Sequence, residues 1–219
     1  MRKYETYKCH KCGNEVEVQN VGGGTIVCCG EKMEMITENL TAVNLMKAFA
    51  GESMARNKYE LFAEIAYGQG YHRIGRFFEE AANNEKFHAQ AEYKAFNKMI
   101  KGIEFDETKN NLVYAADGER YEHEVMYPEF ETIAKEDGIN EIARLFRAIG
   151  KVEVEHEKEY LALKHALEAE GFFSSDDEEE WVCEVCGHVH RGKKPPKACP
   201  LCAVEQEYFY KRSSDITVG

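Results

Sequence analysis

Residues 149–163 read IGKVEVEHEKEYLAL, and the way this stretch distributes its side chains around a helix decides the fold. At steps of three and four, Ile142, Leu145, Ile149, Glu153, His156, Tyr160, Leu163 and Leu167 fall on one stripe. Six of these are large and apolar or aromatic, and a glutamate and a histidine stand among them. A charge on the face that a helix should bury is costly unless something compensates it. One such glutamate could reach solvent at the edge of the stripe, as most charged residues do. Four of them in register call for another explanation.

The same anomaly recurs upstream. Helical periodicity predicts helices over residues 39–67, 71–101, 118–136 and 139–170. The first carries Leu45, Phe49, Glu52, Ala55, Tyr59 and Phe62 on its stripe. The second carries Ile74, Phe78, Ala81, Glu85, His88 and Ala95, with Ala91 or Glu92 between. The third carries Glu119, Glu122, Met126, Phe130 and Ile133. Glu52, Glu85, Glu119 and Glu153 follow one another at intervals of 33, 34 and 34 residues, and Glu-x-x-His occurs at 85–88 and again at 153–156. That period marks a duplicated helix pair. One Glu from each of two helices and Glu-x-x-His from each of the other two is the carboxylate di-metal arrangement of a four-helix bundle. Bridging carboxylates offset the repulsion between two close cations, and two histidines leave positions open for an oxygen substrate. Glu122, on the same face as Glu119, is a seventh candidate ligand, with a role supporting the ligands or at the surface as its alternative.

Gly68 and Gly70 separate the first helix from the second, and Asp137-Gly138 the third from the fourth. Residues 102–117 are longer and mixed. They are expected to form a crossover connection, since two parallel helices need more than a tight turn.

The eight cysteines fall in two groups of four, one at each end. Cys183-x-x-Cys186 and Cys199-x-x-Cys202 are paired knuckles that suit iron or zinc, and Cys9-x-x-Cys12 with the adjacent Cys28-Cys29 makes a second set. A vicinal disulfide is the alternative for Cys28-Cys29. Gly13 and Gly30 follow their cysteines where a knuckle turn needs positive φ. The chain therefore divides into a four-cysteine module at 1–36, a helical bundle at 37–171, an acidic linker at 172–180 and a second four-cysteine module at 181–219. The expected fold class is mainly α: a ferritin-like four-helix bundle flanked by two small metal modules with short β-strands. Trp181 reads as a core residue of the last module. His10, His72, His123, His165, His188 and His190 match no ligand motif and read as surface or packing residues.

A formal net charge of -12 leaves no basic surface to neutralise phosphates, which argues against a nucleic-acid partner. No apolar run approaches the roughly 20 residues that span a bilayer. The N-terminus MRKYETYKCHKCG lacks the apolar core of a signal peptide. A cytoplasmic protein without a membrane partner is expected.

With these residues in place, the sequence resembles the rubrerythrin family. The resemblance is carried by GESMARNKY (51–59), NNEKFH (83–88), DGERYEHEVMYPEF (117–130) and VEVEHEKEY (152–160). WVCEVCGHVH (181–190) and PPKACPLC (195–202) resemble rubredoxin, and the N-terminal cysteines resemble desulforedoxin, so the three-part layout resembles the desulforubrerythrin type. One departure is Ala203, which follows Cys202 where rubredoxin usually has Gly. The resemblance implies an oxo- and carboxylate-bridged di-iron centre with Glu52, Glu85, Glu119, Glu153 and His156 as constant ligands and Glu85 and Glu153 bridging. Glu122 and His88 would alternate on one iron, Glu122 when it is ferric and His88 when it is ferrous. Tyr59 and Tyr127 would line the pocket, with core packing as their alternative. Iron is implied in both four-cysteine sites, and zinc is possible in either. The implied activity is reduction of hydrogen peroxide to water in oxidative-stress defence, with electrons from an NAD(P)H-linked reductase passing through four-cysteine iron. A homodimer or homotetramer is implied. An oxygen reductase at the same centre is the alternative. Ferroxidase or iron-storage activity ranks lower because it leaves two electron-transfer modules unexplained. A non-catalytic protein with zinc in both cysteine sites is a third class.

Overall fold

The computed structural model describes residues 1–102, 107–169 and 172–212, and the chain divides into two compact units, Met1–Phe105 and Asp106–Gly219. The first unit opens with five short strands: β1 (Thr6–Lys8), β2 (Glu15–Glu17), β3 (Val27–Cys28), β4 (Glu31–Lys32) and β5 (Glu34–Met35). An antiparallel sheet runs in the order β2-β1-β5, and β3 pairs with β4 in a hairpin. Two long helices follow, α1 (Leu40–Gly68) and α2 (His72–Lys101). Asn39 caps α1 by accepting from the Ala42 N–H at 3.2 Å, which satisfies one of the helix's orphan donors.

The second unit contains α3 (Thr108–Tyr121), a π-turn (Glu122–Met126), α4 (Tyr127–Glu136) and α5 (Asn140–Glu168). Its small module follows, a sheet in the order β7-β6-β8 made of β6 (Glu179–Cys183), β7 (Val189–Gly192) and β8 (Phe209–Lys211). The fold class is as expected: mainly α and ferritin-like, with a four-cysteine module before and after the helices.

The third helix differs from expectation. It begins at Thr108, ten residues before the predicted start at 118. Thr108, Asn110, Asn111 and Asp117 are weak helix formers, but Leu112, Val113 and Ala116 pack inward and Ala116 is 1% exposed. Tertiary burial thus overrides weak local propensity. The expected crossover at 102–117 shrinks to residues 102–107, of which 103–106 lie outside the described residues.

Each unit contains a helical hairpin, and the two hairpins share the same turn. In Gln69-Gly70-Tyr71, Gly70 has φ 82° and the Tyr71 N–H donates to Ala66 O at 2.8 Å. In Asp137-Gly138-Ile139, Gly138 has φ 76° and the Ile139 N–H donates to Ala134 O at 2.8 Å. Small residues line the seam of each hairpin: Ala63, Ala66, Ala82 and Ala89 in one, Ala116, Ala134 and Ala143 in the other. A Cβ on Gly75 would come within 2.6 Å of the Tyr67 ring, so that approach requires glycine. The larger apolar residues lie elsewhere, and Leu61, Ile65, Leu145 and Val152 are each half exposed or more.

Candidate metal centres

Each helical hairpin brings together one Glu-Glu-His triad, and the two triads have nearly the same geometry. In the first, His88 Nδ1 lies 2.8 Å from Glu85 Oε2 and 3.7 Å from Glu52 Oε2. In the second, His156 Nδ1 lies 2.7 Å from Glu153 Oε2 and 3.6 Å from Glu119 Oε2. One ligand atom from each member of a triad falls within 4.8 Å of the others, the spacing of donors around a shared cation. An aromatic cluster flanks each triad. Tyr59 packs 6.1 Å from Phe78 and 6.3 Å from Phe62, and Tyr127 packs 6.2 Å from Phe146 and 6.5 Å from Phe130.

The π-turn accounts for the difference between the two halves. Glu85, His88, Tyr59, Phe62 and Phe78 each have their counterpart 68 residues later, at Glu153, His156, Tyr127, Phe130 and Phe146, but Glu52 has its counterpart at Glu119, 67 residues later. One extra residue therefore lies between Glu119 and Tyr127, and the π-turn at Glu122–Met126 absorbs it. A π-bulge widens one turn of an α-helix and is common at functional sites. Here it carries Glu122, which has no carboxylate counterpart in α1, where Ala55 stands. Burial holds the Glu122 carboxyl above the usual range, and the charges of Glu119 and Glu153 add to the effect. Burial likewise raises the Tyr127 phenol, followed by the charge of Glu122. In the other hairpin, a hydrogen bond with Glu85 raises Glu52, followed by burial. Gathered carboxylates of this kind repel one another, and a cation between them removes that strain. The donor set of carboxylate oxygens and imidazole nitrogens suits iron.

Two features were not singled out from the sequence. His123, grouped with the surface or packing histidines, has a side chain only 13% exposed and lies with Nε2 2.6 Å from Glu157 Oε2. The other Glu157 oxygen accepts from Arg120 Nε at 2.6 Å, and Arg120 also donates to Asp117 at 3.1 Å. Glu157 of α5 thus ties the end of α3, through Arg120, to the start of the turn that bears Glu122, through His123. Glu92, one heptad after Glu85, is the second feature: its Oε2 is buried without a hydrogen-bond partner, and its charge contributes to raising Glu52. The signal available was its place on the ligand stripe.

All eight cysteines are unpaired thiols gathered into two cages. In the C-terminal cage, Cys183 and Cys202 Sγ are 3.7 Å apart, and Cys186 and Cys199 Sγ are 3.5 Å apart. In the N-terminal cage, Cys12 and Cys28 Sγ are 3.5 Å apart, and the adjacent Cys28 and Cys29 are 3.8 Å apart, so they form no disulfide. A tetrahedral ion with metal–sulfur bonds of about 2.3 Å has edges of about 3.8 Å, so both cages fit. The knuckles repeat one backbone pattern. Gly13, Gly187 and Ala203 donate to Cys9, Cys183 and Cys199 O, each at 2.9 Å, with φ of 79°, 73° and 62°. Ala203 thus holds the left-handed conformation expected of the glycine it replaces. The thiols share their protons unequally. Hydrogen bonds with Cys12 and then Cys28 push Cys29 up to about 12. Burial pushes Cys199 up, but donors from the Cys202 and Leu201 backbones, joined by the Cys186 and Cys202 thiols, together bring it down to about 6. Four thiolates this close require a cation among them. Trp181 is fully buried against Cys183, Cys199 and Phe209, and its Nε1–H donates to Gly192 O at 2.8 Å.

Three family profiles match the chain: Rubrerythrin over residues 43–164, Desulfoferrodoxin, N-terminal domain over 1–36, and Rubrerythrin, rubredoxin-like domain over 181–210. Rubrerythrin-1 of Clostridium acetobutylicum is 40% identical over 81% of this chain and 96% of its own length. The rubrerythrin of Porphyromonas gingivalis is 41% identical over 82% of this chain and 93% of its own. Desulfoferrodoxin of Nitratidesulfovibrio vulgaris is 58% identical over 36 residues, 16% of this chain and 29% of its own.

Proposed function

The chain belongs to the rubrerythrin family, and we propose that it reduces hydrogen peroxide to water at a non-haem di-iron centre fed with electrons through its four-cysteine irons. Membership makes it an iron-binding oxidoreductase of the peroxidase kind, with a ferritin-like di-iron domain, a desulforedoxin-like module and a rubredoxin-like module. The observation that carries the finer reading is the pair of matched Glu-Glu-His triads, only one of which gains a further carboxylate on a π-turn.

Glu52, Glu85 and His88 would hold one iron, and Glu119, Glu153 and His156 the other, with Glu85 and Glu153 bridging. Bound iron supplies the two electrons that cleavage of the O–O bond consumes and the positive charge that stabilises the departing oxygens. The protein supplies the rest. Glu122 and His88 offer an anionic and a neutral donor, so the ligand set can follow the charge at the centre. Burial of Glu122 favours its protonated form, so its carboxyl can hold a proton ready for an oxygen leaving as water. Tyr59 and Tyr127, packed among phenylalanines, wall the pocket against bulk water. Each cysteine cage holds its iron in thiolate, which suits a one-electron carrier. The electrons would come from an NAD(P)H-linked reductase in the cytoplasm. No described helix is long and apolar enough to cross a membrane.

The test is to reduce the iron-loaded protein without oxygen and add stoichiometric hydrogen peroxide while recording the visible spectrum. Rapid return of the ferric-thiolate bands, with much slower recovery under oxygen, is expected. Equal rates would transfer the reading to an oxygen reductase. A colourless protein, or one that peroxide leaves unchanged, would overturn the electron path.

A further inference from the structure

Helix α5 differs from its counterpart α2 at two seam positions, and both differences meet the π-turn. At the 68-residue spacing, Ala82 of α2 becomes Gly150 of α5, and Ala89 becomes Glu157. In the first hairpin both alanines are buried, at 2% and 6% exposure, and α1 runs past them as regular helix. In the second hairpin one position has lost its side chain and the other has gained a carboxylate. A Cβ on Gly150 would lie 3.2 Å from Tyr127 Cβ, so glycine makes room where the chain leaves the π-turn. Glu157 stands where the chain enters it. Its two oxygens accept from Arg120 Nε and His123 Nε2, each at 2.6 Å, and its side chain is only 15% exposed.

The turn needs such a fit. A π-turn departs from regular helix geometry and is rare. Backbone of that kind persists where its surroundings over-determine it. Glu122 adds a second load, because its carboxyl feels the like charges of Glu119 and Glu153, which push it outwards. A turn free to relax would let that carboxylate swing to solvent.

We infer that Glu157 is a positioning residue for the di-metal centre: by holding Arg120 and His123 on either side of Glu122, it keeps the π-turn in register and the Glu122 carboxylate beside Glu119 and Glu153. Glu157 touches no metal in this role and acts through Glu122 alone. The first hairpin has neither the π-turn nor the added carboxylate, and it has alanine at both seam positions. The inference rests on the reading of Glu122 as a ligand of the iron pair.

Four full-length variants test it. E157A installs the residue of the first hairpin, and R120A/H123A removes the same tie from the other side. E122A removes the carboxylate itself, and E122A/E157A removes both. Each iron-loaded protein is titrated without oxygen to obtain the midpoint potential of the iron pair, with the cysteine irons of the same sample as reference. An anionic oxygen donor favours the ferric ion, so E122A should raise that potential. E157A and R120A/H123A should each raise it towards the E122A value. In E122A/E157A the second substitution should add no further shift, because it acts through a residue already gone. E157A or R120A/H123A at the wild-type potential, or a combined variant in which the two shifts add, overturns the inference. A second measurement needs no metal. In the metal-free protein, amide exchange over residues 119–127 should be several-fold faster in E157A than in the wild type, with α1 and α2 unchanged. Unchanged exchange there overturns the inference as well. A wild type that binds no iron pair, beside faster exchange in E157A, would sink the ligand reading of Glu122 and keep the hold on the turn.

Discussion

Ala203 shows how much a single Cβ decides. Its φ of 62° lies in the left-handed region, where an L-residue is strained by roughly 1–2 kcal/mol. Ala203→Gly should stabilise the metal-loaded C-terminal module by about 1 kcal/mol, after allowing for the extra freedom glycine has when unfolded. A thermal melt that does not move would show that the knuckle has relaxed around the methyl group. Glu92 gives a second residue-scale expectation. A buried acceptor left without a partner costs about 1–3 kcal/mol. Glu92→Leu should raise the melting temperature of the metal-free protein, and a fall would mean that the orphan oxygen finds a partner in solution. The ligand candidates themselves were legible in the sequence, because carboxylates and histidines stand out against an apolar stripe. Glu92 and the His123–Glu157–Arg120 clamp were not. Glu92 lacked a partner motif, and the clamp joins α5 to a turn whose geometry no periodicity announces.

At the scale of elements, periodicity located four helical stretches and missed the first turns of the third. Its opening residues are polar on one side, and only packing against α5 shows which side matters. The pinning of α4 to α5 is equally tertiary. Glu131 accepts from Arg147 Nε at 2.9 Å and also pairs with Lys135, and these cations, Arg147 first, hold its carboxyl down at about 2. A carboxyl with a depressed pKa stabilises the fold above its unfolded value of 4.5, and that stability is lost as pH falls towards about 2. The wild type should therefore melt above Glu131→Gln at pH 6, and the gap should close between pH 4.5 and about 2. A gap that stays constant across that range would place its origin in packing rather than charge. The clamp on the π-turn leads to a different measurement. Glu157→Ala should loosen residues 120–126, seen as faster amide hydrogen exchange there than in α1.

For the whole molecule, the four-cysteine modules are too small to hold together by apolar burial alone. Two of the four residues in the C-terminal core are cysteines of the cage itself, Cys183 and Cys199. Trp181, the third, is the single tryptophan of the chain, so its fluorescence reports on this module and nothing else. Stripping the metal with a chelator should shift that emission to the red while the far-ultraviolet helical signal persists. Loss of both together would mean that the helices depend on the module.

The π-turn also bears on the history written in the chain. Glu52 and Tyr59 are seven residues apart in α1, and Glu119 and Tyr127 are eight apart across the turn. Excising one residue from 122–126 would return the second hairpin to the seven-residue Glu–Tyr spacing of the first. The duplication that the 68-residue period records left two like triads, and one added residue makes the second differ from the first.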